Sequence, residues 1–131
     1  MWETPITPRV SETDGAGHIN NTVIPIWLEA GRREVFRILT PDLSFERWHV
    51  ALVNMNVDYL DQTYFQEDAC VKTWVARIGT KSFQLYEELW QGARLCAKGT
   101  ATYVYMNYDQ GRSEAVPADA RRALEAHLKP A

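Results

Sequence analysis

Cysteine is scarce in this sequence of 131 residues. Cys70 and Cys96 are too few for a disulfide framework and lack the spacing of a metal site. Both lie in apolar, strand-like runs and read as buried free thiols. The histidines His18, His49 and His127 are scattered, with no pair at a metal-binding interval, so no metal is expected. No stretch approaches the ~18 uninterrupted apolar residues of a membrane span. Met1 to Pro5 lacks the basic-then-apolar order of a secretory signal, so a cytoplasmic protein without membrane contact is expected. Excess positive charge is missing too: 14 Lys and Arg face 17 Asp and Glu, a net charge of −3. That balance does not favour nucleic acid as a partner, although a local basic patch is compatible with it. With no repeat, low-complexity stretch or linker, residues 1–131 read as one domain.

What is present is a change of period along the chain. Residues 4–11, with two prolines, suit a short first strand at an edge. Thr22 to Leu39 reads as one long helix, since Ile24, Trp27, Leu28, Gly31, Val35, Ile38 and Leu39 share an arc at 100° per residue. Glu29 and Arg33 lie opposite with a favourable i,i+4 charge order. Asn20, Asn21 and Thr22 are candidate N-caps, Pro25 belongs in the first turn, and Thr40-Pro41-Asp42 ends the helix.

Beyond Trp48 the period becomes two. Val53, Met55, Val57 and Tyr59 alternate with Asn54, Asn56 and Asp58, the pattern of a half-buried strand. Further strands are expected over Ala69–Ile78, Phe83–Trp90 and Leu95–Met106, paired consecutively through turns at Gly79-Thr80-Lys81 and Gln91-Gly92-Ala93. Ala97, Gly99 and Ala101 put three small residues on one face, where either a helix approaches or the strand bulges. Val116 to Leu128 reads as a closing helix with Pro117 in its first turn. A twelve-residue strand reaches ~40 Å, too long for so small a domain unless the sheet bends. A curved sheet around one helix, an α+β architecture, meets that requirement.

The candidate chemistry sits in Asp14-Gly15-Ala16-Gly17-His18, just ahead of the helix. Small residues there admit a ligand or a partner backbone. Unpaired N–H groups at the helix start carry the positive end of the dipole and suit an oxygen that becomes negative. Asp14 beside them could attack a carbonyl or activate water. By residue type alone, a turn and capping role for Asp14 and Asn21 and a structural role for His18 come ahead of that chemistry. For Trp27, Trp48 and Tyr59, core packing likewise precedes a role in lining an acyl pocket.

The run Thr13-Asp14-Gly15-Ala16-Gly17-His18-Ile19-Asn20-Asn21, then Trp27-Leu28-Glu29-Ala30 and Arg32, resembles the signature of the 4-hydroxybenzoyl-CoA thioesterase-like hotdog family. The likeness continues through Val57-Asp58-Tyr59-Leu60 and Gly79-Thr80-Lys81-Ser82-Phe83 and spans nearly the whole chain. It implies a hotdog fold: a long central helix wrapped by a curved antiparallel sheet of about five strands, with a short C-terminal helix. It also implies an acyl-CoA thioesterase with Asp14 as catalytic carboxylate, and His18, Asn20 and Asn21 shaping the loop and orienting substrate. Tyr59 would lie against substrate, and Thr80, Lys81 and Ser82 near the pantetheine or nucleotide, unless they form an ordinary hairpin turn.

The implied partners are acyl-CoA or an acyl carrier protein thioester, and a second copy of the chain in a homodimer, or a tetramer. No cofactor is implied, coenzyme A being part of the substrate. One departure stands out, because Ile24-Pro25 follows the double asparagine where family members commonly carry a tyrosine. A hydratase or dehydratase of the same fold, and a non-catalytic acyl-thioester-binding dimer, are the alternative readings.

Overall fold

A computed structural model describes residues 1–131. The strands are β1 (Trp2–Ile6), β2 (Val50–Tyr59), β3 (Ala69–Ile78), β4 (Ser82–Gln91), β5 (Arg94–Asn107) and the short β6 (Arg112–Ser113). The helices are α1 (Ile24–Ala30), α2 (Arg33–Leu39) and α3 (Ala118–Glu125), with single 3-10 turns at Val10–Glu12 and Phe45–Arg47. All strand pairs are antiparallel, in the order β1-β3-β4-β5-β2, with β6 appended to β5. The expected curved sheet is present, and its ladders shift register at Leu52/Asn54, Val75/Arg77 and Leu89/Trp90. Bulges of this kind sharpen strand twist and bend.

Consecutive pairing holds for β3-β4 and β4-β5, but β2 pairs with β5 and not with β3. The segment between β2 and β3 is no hairpin turn. It crosses the end of the sheet and leaves β3 to pair with β1. Pro5 lies in β1, an edge strand, as its lack of an N–H requires.

The expected single helix is divided in two. The amides of Gly31 and Arg32 reach back three residues, to Leu28 (3.0 Å) and Glu29 (2.9 Å), and ψ is near zero at both (−7° and 1°). The sheet imposes this break. A Cβ on Gly31 would fall 2.6 Å from Val71 Cγ1 and 2.8 Å from Thr73 Oγ1, so only glycine allows the backbone so close. The break also changes the phase of the helix surface. The expected Glu29–Arg33 pair does not form, and Arg37 pairs with Glu34 at 3.6 Å instead.

Beneath the break lies a buried polar row. Arg32 Nε donates to Glu87 Oε1 at 2.8 Å, with both side chains 1% exposed. Thr73 donates to Glu87 Oε2 (2.8 Å) and Arg32 Nη1 donates to the Tyr103 hydroxyl (3.0 Å). Thr73, Glu87 and Gly99 are ladder neighbours across β3, β4 and β5. A Cβ on Gly99 would run into the carbonyl oxygen of Asn56, so that glycine serves close approach to β2 rather than to a helix. The row separates two apolar clusters. Val35, Leu39, Phe83, Leu85 and Leu124 belong to one, under α2 and α3. Ile24, Trp27, Leu28, Val71 and Leu89 belong to the other, under α1. Cys96 is buried in the second cluster and Cys70 half-buried; both are free.

Burial pushes the Glu87 carboxyl above its usual range, and Arg32 pulls it only part of the way back. Removing one partner strands the other charge. Arg32→Met is expected to cost about 3–5 kcal/mol in chemical denaturation, and the double variant Arg32→Met, Glu87→Leu to regain most of it. A single-variant loss under about 1 kcal/mol, the range of exposed pairs, would contradict this account.

Candidate functional site

Asp14 begins a tight loop closed by a bridge between Thr13 and Ile19. The Asp14 amide donates to the His18 carbonyl at 2.9 Å, and Asp14 Oδ1 accepts from the Ala16 amide at 2.8 Å. Gly15 and Gly17 both have φ of +87°. Neither has a neighbour that a Cβ would strike, so they serve the left-handed backbone and not close approach. The loop is anchored on both sides. Ile19 donates to the Thr63 carbonyl (2.7 Å), Phe65 to the Gly17 carbonyl (2.9 Å), and Asn20 to the Glu12 carbonyl (2.8 Å).

The loop leaves the Asp14 carboxylate exposed, and the Ala16 N–H holds it below the usual carboxylate range, assisted by His18. It is ionised at neutral pH. His18 Nδ1 lies 3.5 Å from Asp14 Oδ2, and its ring tilts against Tyr64 at 5.3 Å.

Asn20 and Asn21 have separate tasks. Asn20 Oδ1 accepts from the amide and hydroxyl of Thr22, both at 2.9 Å, and fixes a turn ahead of α1. The N-cap itself is Val23, without a side-chain bond, so none of the three expected residues caps the helix directly. Pro25 falls in the first turn as anticipated and has no N–H to offer. The amides of Ile24 and Ile26 have no acceptor among the backbone bonds, and they point out of the helix start. Asn21, Ile24, Ile19, Tyr59 and Thr63 line an open cleft of about 480 Å³. Tyr59 donates its hydroxyl to the Asn21 carbonyl at 2.8 Å and ties the end of β2 to the loop. Trp27 is core, whereas Tyr59 borders this cleft and Trp48 a second one.

Thr80, Lys81 and Ser82 form the β3-β4 turn, closed by the Gly79 amide on the Ser82 carbonyl (2.7 Å) and held by Arg121 on the Gly79 carbonyl (2.6 Å). This turn lies at the end of the sheet opposite Tyr59, since β4 runs from Ser82 to Gln91 and Tyr59 pairs with Ala97 near the start of β5. One protomer therefore brings Asp14, His18, Asn20, Asn21 and Tyr59 to one end and keeps Thr80, Lys81 and Ser82 at the other.

Two residues that hold the site escaped the sequence reading. Glu12 is 7% exposed and accepts from Trp27 Nε1 (2.9 Å) and the Arg9 amide (2.7 Å). Gln91, fully buried, donates to the Tyr64 and Glu67 carbonyls at 2.7 and 2.8 Å and accepts from the Tyr64 amide at 2.9 Å. Its signal was available: Gln91 continues the inward alternation of Phe83, Leu85, Glu87 and Leu89. No group of three or more His, Cys, Asp or Glu side chains stands close enough to hold a metal, and no helix is long and apolar enough to cross a membrane.

Burial alone would raise Glu12, but the hydrogen bonds from Trp27 and Arg9 outweigh it and hold the carboxyl below its usual value. A depressed carboxyl stabilises above its unfolded pKa of ~4.3 and loses that contribution as pH falls through its folded value. Glu12→Gln should thus cost about 1–2 kcal/mol at pH 7 and progressively less below pH ~4 in denaturant titrations. A difference independent of pH would contradict the role given to its charge.

Comparison with solved structures places the fold. A structure described as a predicted thioesterase from Bacillus stearothermophilus is 51% identical, with a TM-score of 0.96 over 99% of this chain and 98% of that one. A thioesterase from Thermus thermophilus, complexed with coenzyme A and Zn, is 24% identical, with a TM-score of 0.86 over 99% and 96%. The PA5185 protein of Pseudomonas aeruginosa is 25% identical, with a TM-score of 0.84 over 100% and 94%. No curated protein matches. The model of the thioesterase-like superfamily matches residues 8–124, the Asp14 loop included, and the chain belongs to that family, with its hotdog fold.

Proposed function

We propose that this protein hydrolyses an acyl-CoA thioester to the free acid and coenzyme A. The observation that carries the reading is the exposed, ionised Asp14 on a hydrogen-bonded loop, followed after the Asn20–Val23 turn by α1, whose Ile24 and Ile26 amides have no backbone acceptor. Asp14 either attacks the thioester carbonyl, forming an anhydride that water then cleaves, or takes a proton from the attacking water. In both routes the carbonyl oxygen gains negative charge and the C–S bond breaks. In the general-base route the leaving thiolate takes the proton that Asp14 removed from water. In the nucleophilic route it leaves as thiolate and takes a proton from solvent, while water later cleaves the anhydride and restores the Asp14 carboxylate. The Ile24 and Ile26 N–H groups are the donors for that oxygen. Each well-aimed donor of this kind lowers a barrier by roughly 2.7–4 kcal/mol. His18 orients the carboxylate, Asn20 and Asn21 set the loop, and Tyr59 borders the substrate. The Thermus relative complexed with coenzyme A supports this carrier over acyl carrier protein. The reading requires no resident cofactor and fits a cytoplasmic setting.

A second copy completes the site in this reading. β1 is a short edge with Pro5 in it, and beyond β1 the edge of β3 is covered by the C-terminal segment through the Val75–Leu128 bridge. β2 offers ten residues of free edge without proline, and Leu52 and Val53 are exposed there, 46% and 59%. Such an edge invites strand pairing with another chain. Antiparallel pairing of two β2 strands about their midpoint gives a homodimer and sets Tyr59 beside the partner's Val50. The partner's Thr80–Ser82 turn then approaches the Asp14 end, where it meets the pantetheine.

Asp14→Asn should lower thiol release from acyl-CoA by about 10²–10⁴-fold while leaving the dimer mass unchanged in light scattering. For the wild type, turnover should persist on acidification to about pH 4, the ordinary aspartate value, because Asp14 titrates below it. Unchanged hydrolysis by the variant would overturn the assignment of Asp14. Binding of acyl-CoA with no thiol released across short, long and aromatic acyl groups would favour a binding protein instead.

A further inference from the structure

At the end of the sheet opposite Asp14, α2, the start of β2 and the strap of residues 40–48 enclose a second cleft of about 510 Å³. Phe36, Leu43, Phe45, Trp48, Leu52 and Tyr103 line it. A volume of roughly 300–1,000 Å³ with mostly apolar walls is the form of a small-molecule pocket. The rings interlock: Phe45 stands edge-on to Trp48 at 5.4 Å, Trp48 tilts on Phe36 at 5.2 Å, and Phe36 meets Tyr103 edge-on at 5.6 Å. Phe45 is nonetheless 85% exposed.

Leu43 has φ of +55°, the one non-glycine residue in the left-handed region. A branched side chain keeps that conformation only where its surroundings impose it, and such residues gather at ligand sites. Here the Leu43 amide on the Thr40 carbonyl (2.8 Å), the Ser44 amide on Asp42 (3.1 Å) and the Asp42–Arg47 ion pair impose it. The strap is thus locked with Leu43 in the wall of the cleft.

The polar atoms of the wall are already engaged. The Trp48 indole N–H donates to the Val50 carbonyl (3.1 Å), and the Tyr103 hydroxyl meets Arg32 in the buried row (3.0 Å). Charge stands only at one side, where Glu29 and Arg33 border both this cleft and the neighbouring α1 surface, in no ion pair. The depth of the cleft offers a polar group no prepared partner.

Tyr59 borders the first cleft, and Val50 and Leu52 the second. Pairing of two β2 strands therefore joins the first cleft of one protomer to the second cleft of its partner. We propose that the strap of residues 40–48 is the selectivity element for the acyl group bound at the partner's Asp14, and that it admits acyl groups that are apolar to their tip. This rests on the thioester reading above and adds to it the class of acyl group and the subunit that chooses it.

The test measures thiol release from matched pairs, hexanoyl-CoA against 6-hydroxyhexanoyl-CoA and phenylacetyl-CoA against 4-hydroxyphenylacetyl-CoA. The apolar member should lead in kcat/KM by about tenfold to a hundredfold, the scale on which an apolar pocket rejects an added hydroxyl. Phe45→Ser, at an exposed position where folding is not at stake, should narrow that ratio. Excess Asp14→Asn chains mixed with Phe45→Ser chains should restore it, because each mixed dimer holds one site with Asp14 from one chain and Phe45 from the other. Equal kcat/KM within each pair for the wild type, or a ratio that Phe45→Ser does not change, overturns the proposal while the thioesterase reading stands. A ratio that mixing leaves unchanged overturns the contribution in trans. No release from any thioester overturns both readings together.

Discussion

The Arg32–Glu87 pair is the constraint on which the rest of this structure depends. Two charges withdrawn from water are tolerable only when their hydrogen-bonding capacity is met, and Thr73 and Tyr103 complete that shell. Arg32 can reach Glu87 only if the backbone above it presses onto the sheet. That requires glycine at position 31 and a break in the helix. The break lets α1 and α2 seat on two different apolar clusters. α1 then borders the cleft of Asn21 and Tyr59 through Ile24, and α2 walls the aromatic cleft at the other end. For Arg32, burial disfavours the charged form, but the charges and hydrogen bonds of Glu87 and Tyr103 together outweigh it and leave the guanidinium above its usual range, so it stays charged at any working pH.

The sheet contributes a second constraint through its edges. One edge is short, interrupted by Pro5 and followed by the C-terminal segment; the other is the bare length of β2. In the proposed dimer that asymmetry is functional. A protomer alone holds the carboxylate at one end of the sheet and the aromatic cleft at the other, and it is the proposed pairing along β2 that would join the two into one channel. The Glu12–Trp27 and Gln91–Tyr64 bonds keep the loop rigid on its own side of that channel.

What the sequence disclosed follows from how local each signal is. The alternation in β2 to β5 and the turns at Gly79 and Gly92 depend on neighbours in the chain, and the hairpins β3-β4 and β4-β5 were legible from them. Pairing of β2 with β5 is non-local and was missed, because consecutive order is only the simplest arrangement. The helix read as continuous because Gly31 fits the apolar arc. What breaks it is a contact with Val71 and Thr73, far along the chain. Asp14 and the double asparagine were visible through their resemblance to a known signature. Of the residues that hold the loop, Gln91 lay on the inward alternation of β4, but Glu12 carried no such pattern, since a buried polar side chain looks like a surface one until its partners are known. The departure at Ile24-Pro25 removes one N–H from the helix start and leaves the Ile24 and Ile26 amides without a backbone acceptor.

The most direct measurement is a crystal structure of the protein with a non-hydrolysable thioether analogue of an apolar acyl-CoA. The account predicts two equivalent ligands per β2-paired dimer. Each would have its carbonyl-equivalent atoms between the Asp14 carboxylate and the Ile24 amide of one protomer, and its acyl tail under the Leu43–Trp48 strap of the other. A ligand contained within one protomer, or one whose reacting atoms lie away from Asp14, would contradict it.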